Sequence, residues 1–289
     1  MFNLIKSECY KALHLRSVRV MFLIVLVFGL SSGFLLKTAA TMTDSLSAED
    51  AAQLAENLEG MPAEIRMGIY TPIDSSLIKD GAVNLWDVAS SDLNGGTLQL
   101  LVAILTALFV SVDFTYGFIE NIAGHAQGKG KLVIPKLLVL TALVAVMFLL
   151  YLGTGFLSAR IAFGDILYVS DSTGLARYLG LQLLLHIAFA FVIAFLCFAV
   201  RSLPFDVAAG VLLSSGIVAM AFRVVDLIAK HVFGVAQPDT GVISISRAIS
   251  EVMPAANDAI LRRGLIIGCV YLAAAAVLSF VVMQRRDIA

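Results

Sequence analysis

Of 289 residues, 60% are hydrophobic and 14% charged, and the formal net charge is −1. Soluble domains are roughly 25% charged and 45–50% apolar, so a mean hydropathy of +0.93 argues against a water-soluble globule and makes lipid the expected solvent. The near-zero charge leaves no global basic field for nucleic acid.

Six apolar runs succeed one another, at 20–36, 98–118, 137–159, 179–200, 207–222 and 265–283. A bilayer core about 30 Å thick takes roughly 20 apolar residues per helix, and in lipid each segment must satisfy its own backbone polar groups. The alternating segments of about ten residues that mark a barrel are not visible. The expected fold is therefore all-α: one polytopic membrane domain over 1–289, with six transmembrane helices.

In chain order, residues 1–17 read as a surface-lying helix. Phe2, Ile5, Cys9, Ala12 and Leu13 recur at helical spacing, with Lys6, Tyr10, Lys11 and His14 on the other side. A basic amphipathic helix suits the headgroup boundary; the alternative is a frayed tail. The polar stretch before the first run is long and no A-x-A site follows Leu36, so that run reads as a retained span rather than a signal peptide. Residues 37–95 form an acidic external loop, with three basic against ten acidic residues. Within it Ser47 and Asp50 read as a capping box. A stripe of Ala51, Leu54, Ala55 and Leu58 follows, stopped by Gly60 and Pro62. A second helix is expected near 63–70, and Trp86 is expected at the outer interface with Tyr168 and Tyr178. Asp113 ends the second run, and 119–135 form a connecting loop. The fifth run is the shortest. The segment 223–263 is mixed, either external or re-entrant.

Orientation follows from Lys and Arg in short segments beside the spans. Lys6, Lys11, Arg16, Arg19, Lys129, Lys131, Lys136, Arg201, Arg285 and Arg286 are concentrated on one side, whereas the ten basic residues of the other side are spread out among sixteen acids. Both termini are therefore expected in the cytoplasm, although Arg223, Lys230, Arg247, Arg262 and Arg263 pull the other way.

Chemistry-bearing motifs are few. None of the three cysteines lies in the long polar loop, so neither a disulfide framework nor a metal cluster is expected, and the four histidines form no H-E-x-x-H. Gly124 to Lys129 fails as a P-loop: the glycine gap is short, Gly130 replaces the Mg-binding Ser/Thr, and no strand precedes it. Ala162-Phe163-Gly164-Asp165 departs from an intramembrane aspartyl protease signature at Ala162. Gln182 and His186, four apart on one helix face, either line a path or bond a neighbouring span. Arg223 and Asp226 are expected to pair.

The most informative stretch is 112–138. Asp113, three intervening residues, Gly117, a short amphipathic piece, Lys129, and Lys136-Leu137 opening the third span follow one another. Glu8 and Lys11 make an E-x-x-K in the first helix, and the chain ends Arg285-Arg286-Asp287-Ile288. Together these resemble the permease subunits of ABC-2 type transporters, in the bacterial peptide-exporter and lantibiotic-immunity branch. Lys at 129 stands where that branch usually has Arg. The resemblance implies an N-terminal elbow helix containing Lys6, Glu8 and Lys11. It implies a coupling helix at about 118–126, in which Phe118, Ile119, Glu120, Asn121, Ile122 and His125 meet a cytosolic ABC ATPase; an ordinary polar connector is the other reading of that stretch. It further implies a bacterial plasma-membrane location, a second permease copy, a peptide cargo, and ATP with Mg held by the partner ATPase, this chain itself being no enzyme and binding no cofactor or metal. A nucleotide-independent transporter or channel, and a membrane anchor or sensor, are the rival classes.

Overall fold

The computed structural model describes residues 2–45, 53, 82–116, 129–169, 174–215, 217–233, 239–254 and 256–285. The architecture among these residues is helical. Helix α1 (Phe2–His14) turns at Leu15 into the long α2 (Arg16–Ser45). Leu15 keeps the hydrogen bonding continuous, donating to Lys11 O and accepting from Arg19 N. A two-residue strand β1 (Val83–Asn84) leads into α3 (Leu85–Asn94), whose first turn is capped by the Asn84 side chain accepting from Trp86 N. Gly96, at φ 77°, makes the left-handed turn into α4 (Thr97–Thr115), a conformation glycine adopts without steric cost.

After a 3-10 turn at Lys129–Leu132, α5 runs from Val133 to Phe163. Strand β2 (Leu167–Tyr168) pairs in parallel with β1. Helix α6 (Leu175–Val200) ends at Arg201, and Pro204 opens the short α7 (Leu203–Ser214), where a missing N–H costs nothing. Then come α8 (Ile217–Phe233), a 3-10 turn at Thr240–Ile243, α9 (Ile245–Glu251) and α10 (Asp258–Arg285).

Among the described residues, five helical segments are long and apolar enough to cross a membrane: Arg16–Ala39, Thr97–Thr115, Gly130–Ile166, Leu175–Val200 and Asp258–Arg285. The apolar run at 207–222 is not one helix. It is divided between α7, whose 12 residues extend about 18 Å, and α8, which carries Arg223, Asp226 and Lys230 on one face. Its apolar residues Val224, Leu227 and Ile228 stay exposed. Asp226 does not take up Arg223 in an ion pair; it accepts from the Thr240 amide at 2.8 Å. Hydropathy measured the length of that run correctly and could not register the break near Ser215.

Helix α10 packs along α6, α2 along α5, and α4 against α6 and α7. Phe109, Phe148, Phe189, Ile193 and Phe198 fill the centre. Outward-facing Leu23, Val27, Leu138, Leu149, Ile266 and Val277 are exposed, the surface a lipid-facing bundle presents. The α2–α5 contact is close because its residues are small. A Cβ on Gly33 would stand 2.6 Å from Ala159 N. Gly33 N donates to Ser158 Oγ at 3.0 Å, and Ser158 Oγ donates to Leu30 O at 2.6 Å. Small residues let two backbones exchange such bonds within a membrane.

The segment read as an external loop over 37–95 belongs to the helical body at both ends. Helix α2 continues to Ser45, and α3 buries Val88, Ala89, Leu93 and Asn94. The expected helices at 47–60 and 63–70 lie outside the described residues, apart from Gln53, which is helical. Trp86 is half-buried edge-on against Phe156, Tyr168 is exposed, and Tyr178 is buried within the bundle.

Candidate functional site

The sequence-selected charges Glu8, Lys11, Asp113 and Lys136 come together at the end of the bundle that carries the termini. Helix α1 contributes Glu8 and Lys11, one turn apart and in contact. Lys11 Nζ donates to both Asp113 oxygens, at 3.0 and 3.2 Å. Lys136 Nζ pairs with Asp113 Oδ2 and lies 3.3 Å from Glu8 Oε2. It also sits 4.6 Å above the Phe109 ring. Two acids and two bases thus alternate into a neutral ring. Lys136 is 2% exposed and Asp113 3%, burial that charged groups tolerate only when paired.

Helix polarity explains part of the arrangement. Asp113 occupies the last turn of α4, where the macrodipole favours a cation, and Lys136 occupies the first turn of α5, where it favours an anion. Each charge is placed unfavourably on its own helix, and pairing with the other offsets both. The sequence pattern places Lys11 on the polar side of α1 with Lys6, Tyr10 and His14. Because α1 packs on α5, it is turned inward to Asp113 instead, while Lys6 stays exposed. A cleft lined by Leu4, Glu8, Asp113, Lys136, Phe198 and Met283 opens beside the ring and places the C-terminal helix at the same end as α1.

Gly117, Phe118, Ile119, Glu120, Asn121, Ile122 and His125 lie outside the described residues, and Lys129 opens the 3-10 turn before α5. The charge ring therefore brackets 117–128 from both sides.

At the opposite end Gln182 is fully buried and ties three elements together. Its Nε2 lies 2.9 Å from Asn94 Oδ1, 2.9 Å from Ile249 O and 3.0 Å from Val252 O. Asn94 Nδ2 also donates to Val252 O, and the Tyr178 hydroxyl donates to Asn94 Oδ1. His186, one turn further on, has Nδ1 2.8 Å from Gln182 O and its ring edge-on to Phe148. Between this layer and the charge ring, α6 presents Phe189, Ala190 and Ile193, all wholly buried. Large apolar side chains thus separate the two polar layers of the described core.

The polar residues that escaped the sequence reading include Asn94, Asp92 and Asp206. Asn94 lies in a stretch that looked external. Asp92, also on α3, accepts from Ser32 Oγ at 3.0 Å and fills the space beside Gly155, where a Cβ would meet Oδ2 at 2.6 Å. Burial pushes its carboxyl up to about 7. Asp206, the one acid of α7, accepts from Ser111 Oγ; its signal was a lone carboxylate in an otherwise apolar stretch. Among the described residues no group of His, Cys, Asp and Glu could hold a metal ion. No protein-family model matches the chain, and no curated protein matches it significantly.

Proposed function

We propose that the chain is the membrane subunit of an ATP-driven exporter, acting with a separate cytosolic ABC ATPase and a second permease copy in a bacterial plasma membrane. Both termini face the cytoplasm, α1 is the interfacial elbow, and α7 with α8 together make the fifth of six passes. ATP and Mg are held by the partner, and this chain supplies no catalytic group.

One observation carries the reading: the ring of Glu8, Lys11, Asp113 and Lys136 joins α1 to the two helices that flank 117–128. A partner pressing on Phe118, Ile119, Glu120, Asn121, Ile122 and His125 would move the ends of α4 and α5 together, and α1 with them. Packed elements pass on such motion by switching between discrete arrangements. The close-packed apolar layer at Phe189 and Ile193 supports a cargo path shared with a second copy rather than one bored through a single chain. Amphipathic or antimicrobial peptides suit the acidic segment 37–95, which attracts cations by its field.

The break between α7 and α8 favours a second reading, a nucleotide-independent transporter or channel, because discontinuous helices form ion and substrate sites in such proteins. That class places a matching break in another helix, whereas α2, α4, α5, α6 and α10 are unbroken. An anchor or sensor subunit would use the ring only to hold α1 in place.

The test is coupling. With chain and ATPase reconstituted together, Glu120→Ala with Ile122→Ala is expected to abolish peptide-stimulated hydrolysis while leaving the basal rate of the ATPase. Stimulation at the unmodified level in the double variant removes the exporter reading.

A further inference from the structure

The termini end holds a second buried carboxylate, and among the described residues it pairs with no cation. Asp206 stands in the first turn of α7 with 0% exposure. Ser111 Oγ donates to Oδ2 at 2.5 Å, and Oδ1 has no hydrogen-bond partner. Ser111 and Asp113 are two residues apart on α4, which sets them on nearly opposite sides of that helix. One side turns to α1 and α5 with their lysines; the other turns to α6 and α7.

The surroundings of Asp206 are neutral. Helix α4 offers the Ser111 hydroxyl, and α6 offers the buried Cys197 thiol. Arg201, at the α6–α7 junction, lies 5.1 Å over the Phe114 ring and reaches Met283 Sδ at 3.9 Å. Asp113, Lys11 and Lys136 are engaged with one another across α4. Arg223, Asp226 and Lys230 belong to α8, beyond the far end of α7. Among the described residues, no ion pair includes Asp206.

Three features favour the anion: the first-turn position, the short Ser111 contact and the neighbouring Cys197 thiol, a weak donor. None supplies a countercharge, and Oδ1 is left without a hydrogen-bond partner among the described residues. An orphaned carboxyl O–H in an apolar site is far less costly than an orphaned carboxylate oxygen, so a buried acid in this position takes up a proton. An ionisable side chain within an apolar bundle is by default a candidate for a functional site.

We propose that Asp206 is a proton-binding site, occupied in the folded chain at neutral pH and independent of the transport reading. Displacement of α7 from α4 would admit water and release that proton, linking proton exchange to the position of the short helix.

Infrared difference spectroscopy of the full chain in lipid nanodiscs tests this. Subtracting the Asp206→Asn spectrum from that of the unmodified chain at pH 7 is expected to leave one protonated-carboxyl C=O band, shifted in D2O. A difference made only of the two carboxylate stretches overturns the proposal. Should Asp206→Asn fail to fold, Ser111→Ala removes the hydrogen bond to Oδ2 and serves instead. The proposal then expects the protonated C=O band to move to higher frequency, and a shift confined to carboxylate bands overturns it.

Discussion

In their buried layers the two ends of the bundle hold their helices together with different chemistry, while a partly exposed ionic cluster of Asp239, Arg247, Glu251 and Arg263 also links α9 to α10 at the far end. At the termini end, two lysines and two acids from α1, α4 and α5 form a closed ionic ring. At the far end, neutral amides of Asn94 and Gln182 bond α3 and α6 to the carbonyls of Ile249 and Val252. Charges are costly inside a bilayer, and the cost falls toward the headgroups; neutral amides carry a smaller penalty when left in lipid. The ionic end is thus the one where removing a single partner is expected to do most damage, and it adjoins the segment 117–128 proposed to meet an ATPase. The amide end is built to hold a fixed shape.

That contrast can be broken by substitution. Asp113→Asn leaves the buried Lys136 and the half-buried Lys11 with Glu8 as their one remaining countercharge in the ring, and breaking a buried pair from one side costs about 3–5 kcal/mol. The expected result is a large drop in thermal midpoint in detergent, with α1 becoming accessible to protease. Replacing Asp113 and Lys136 together with leucine is expected to recover much of that loss.

Gln182→Leu is expected to cost less, about 1–2 kcal/mol, the range for interhelical hydrogen bonds in lipid. Hydrogen exchange at α9 should report it, as Ile249 O and Val252 O lose the same donor. A loss as large as that of Asp113→Asn would erase the distinction between the ends.

Asp92 sharpens the comparison through pH. Its folded carboxyl is raised by burial from 3.8 to about 7, so the fold binds a proton that the unfolded chain has already released. Stability is therefore greatest at acid pH and declines as pH rises between those two values, then levels off. Thermal midpoints measured across that window should fall for the unmodified chain and stay flatter for Asp92→Asn. The smallest effect is expected at Arg177 and Asp258, an exposed pair at 2.8 Å. Asp258→Asn should change stability by under about 1 kcal/mol, an amount that added salt also removes.

Much of this was readable from the sequence where chemistry and spacing coincide. Asp113 and Lys136 announce themselves as lone charges at the edges of apolar runs, and Glu8 with Lys11 as one helical turn. What the sequence does not carry is which charge meets which: Lys11 and Asp113 are 102 residues apart, and only the packing of α1 against α5 turns the lysine inward. Gln182 was legible as a polar position on an apolar face, but its acceptors are backbone carbonyls, which any residue supplies. Asn94 was hidden because polarity near an acidic stretch suggests solvent, whereas α3 is packed into the bundle. The break between α7 and α8 was hidden because Ser214-Ser215-Gly216 interrupts hydropathy too little to register.

The central claim is a partnership, so purification of the tagged chain from its native membrane in a mild detergent tests it most directly, with identification and quantitation of what co-elutes. The account predicts a soluble ATPase bearing a true P-loop, in stoichiometric amount and lost on substitution of Glu120 and Ile122. A clean oligomer of this chain alone, under conditions that keep other transporter–ATPase complexes intact, would contradict it.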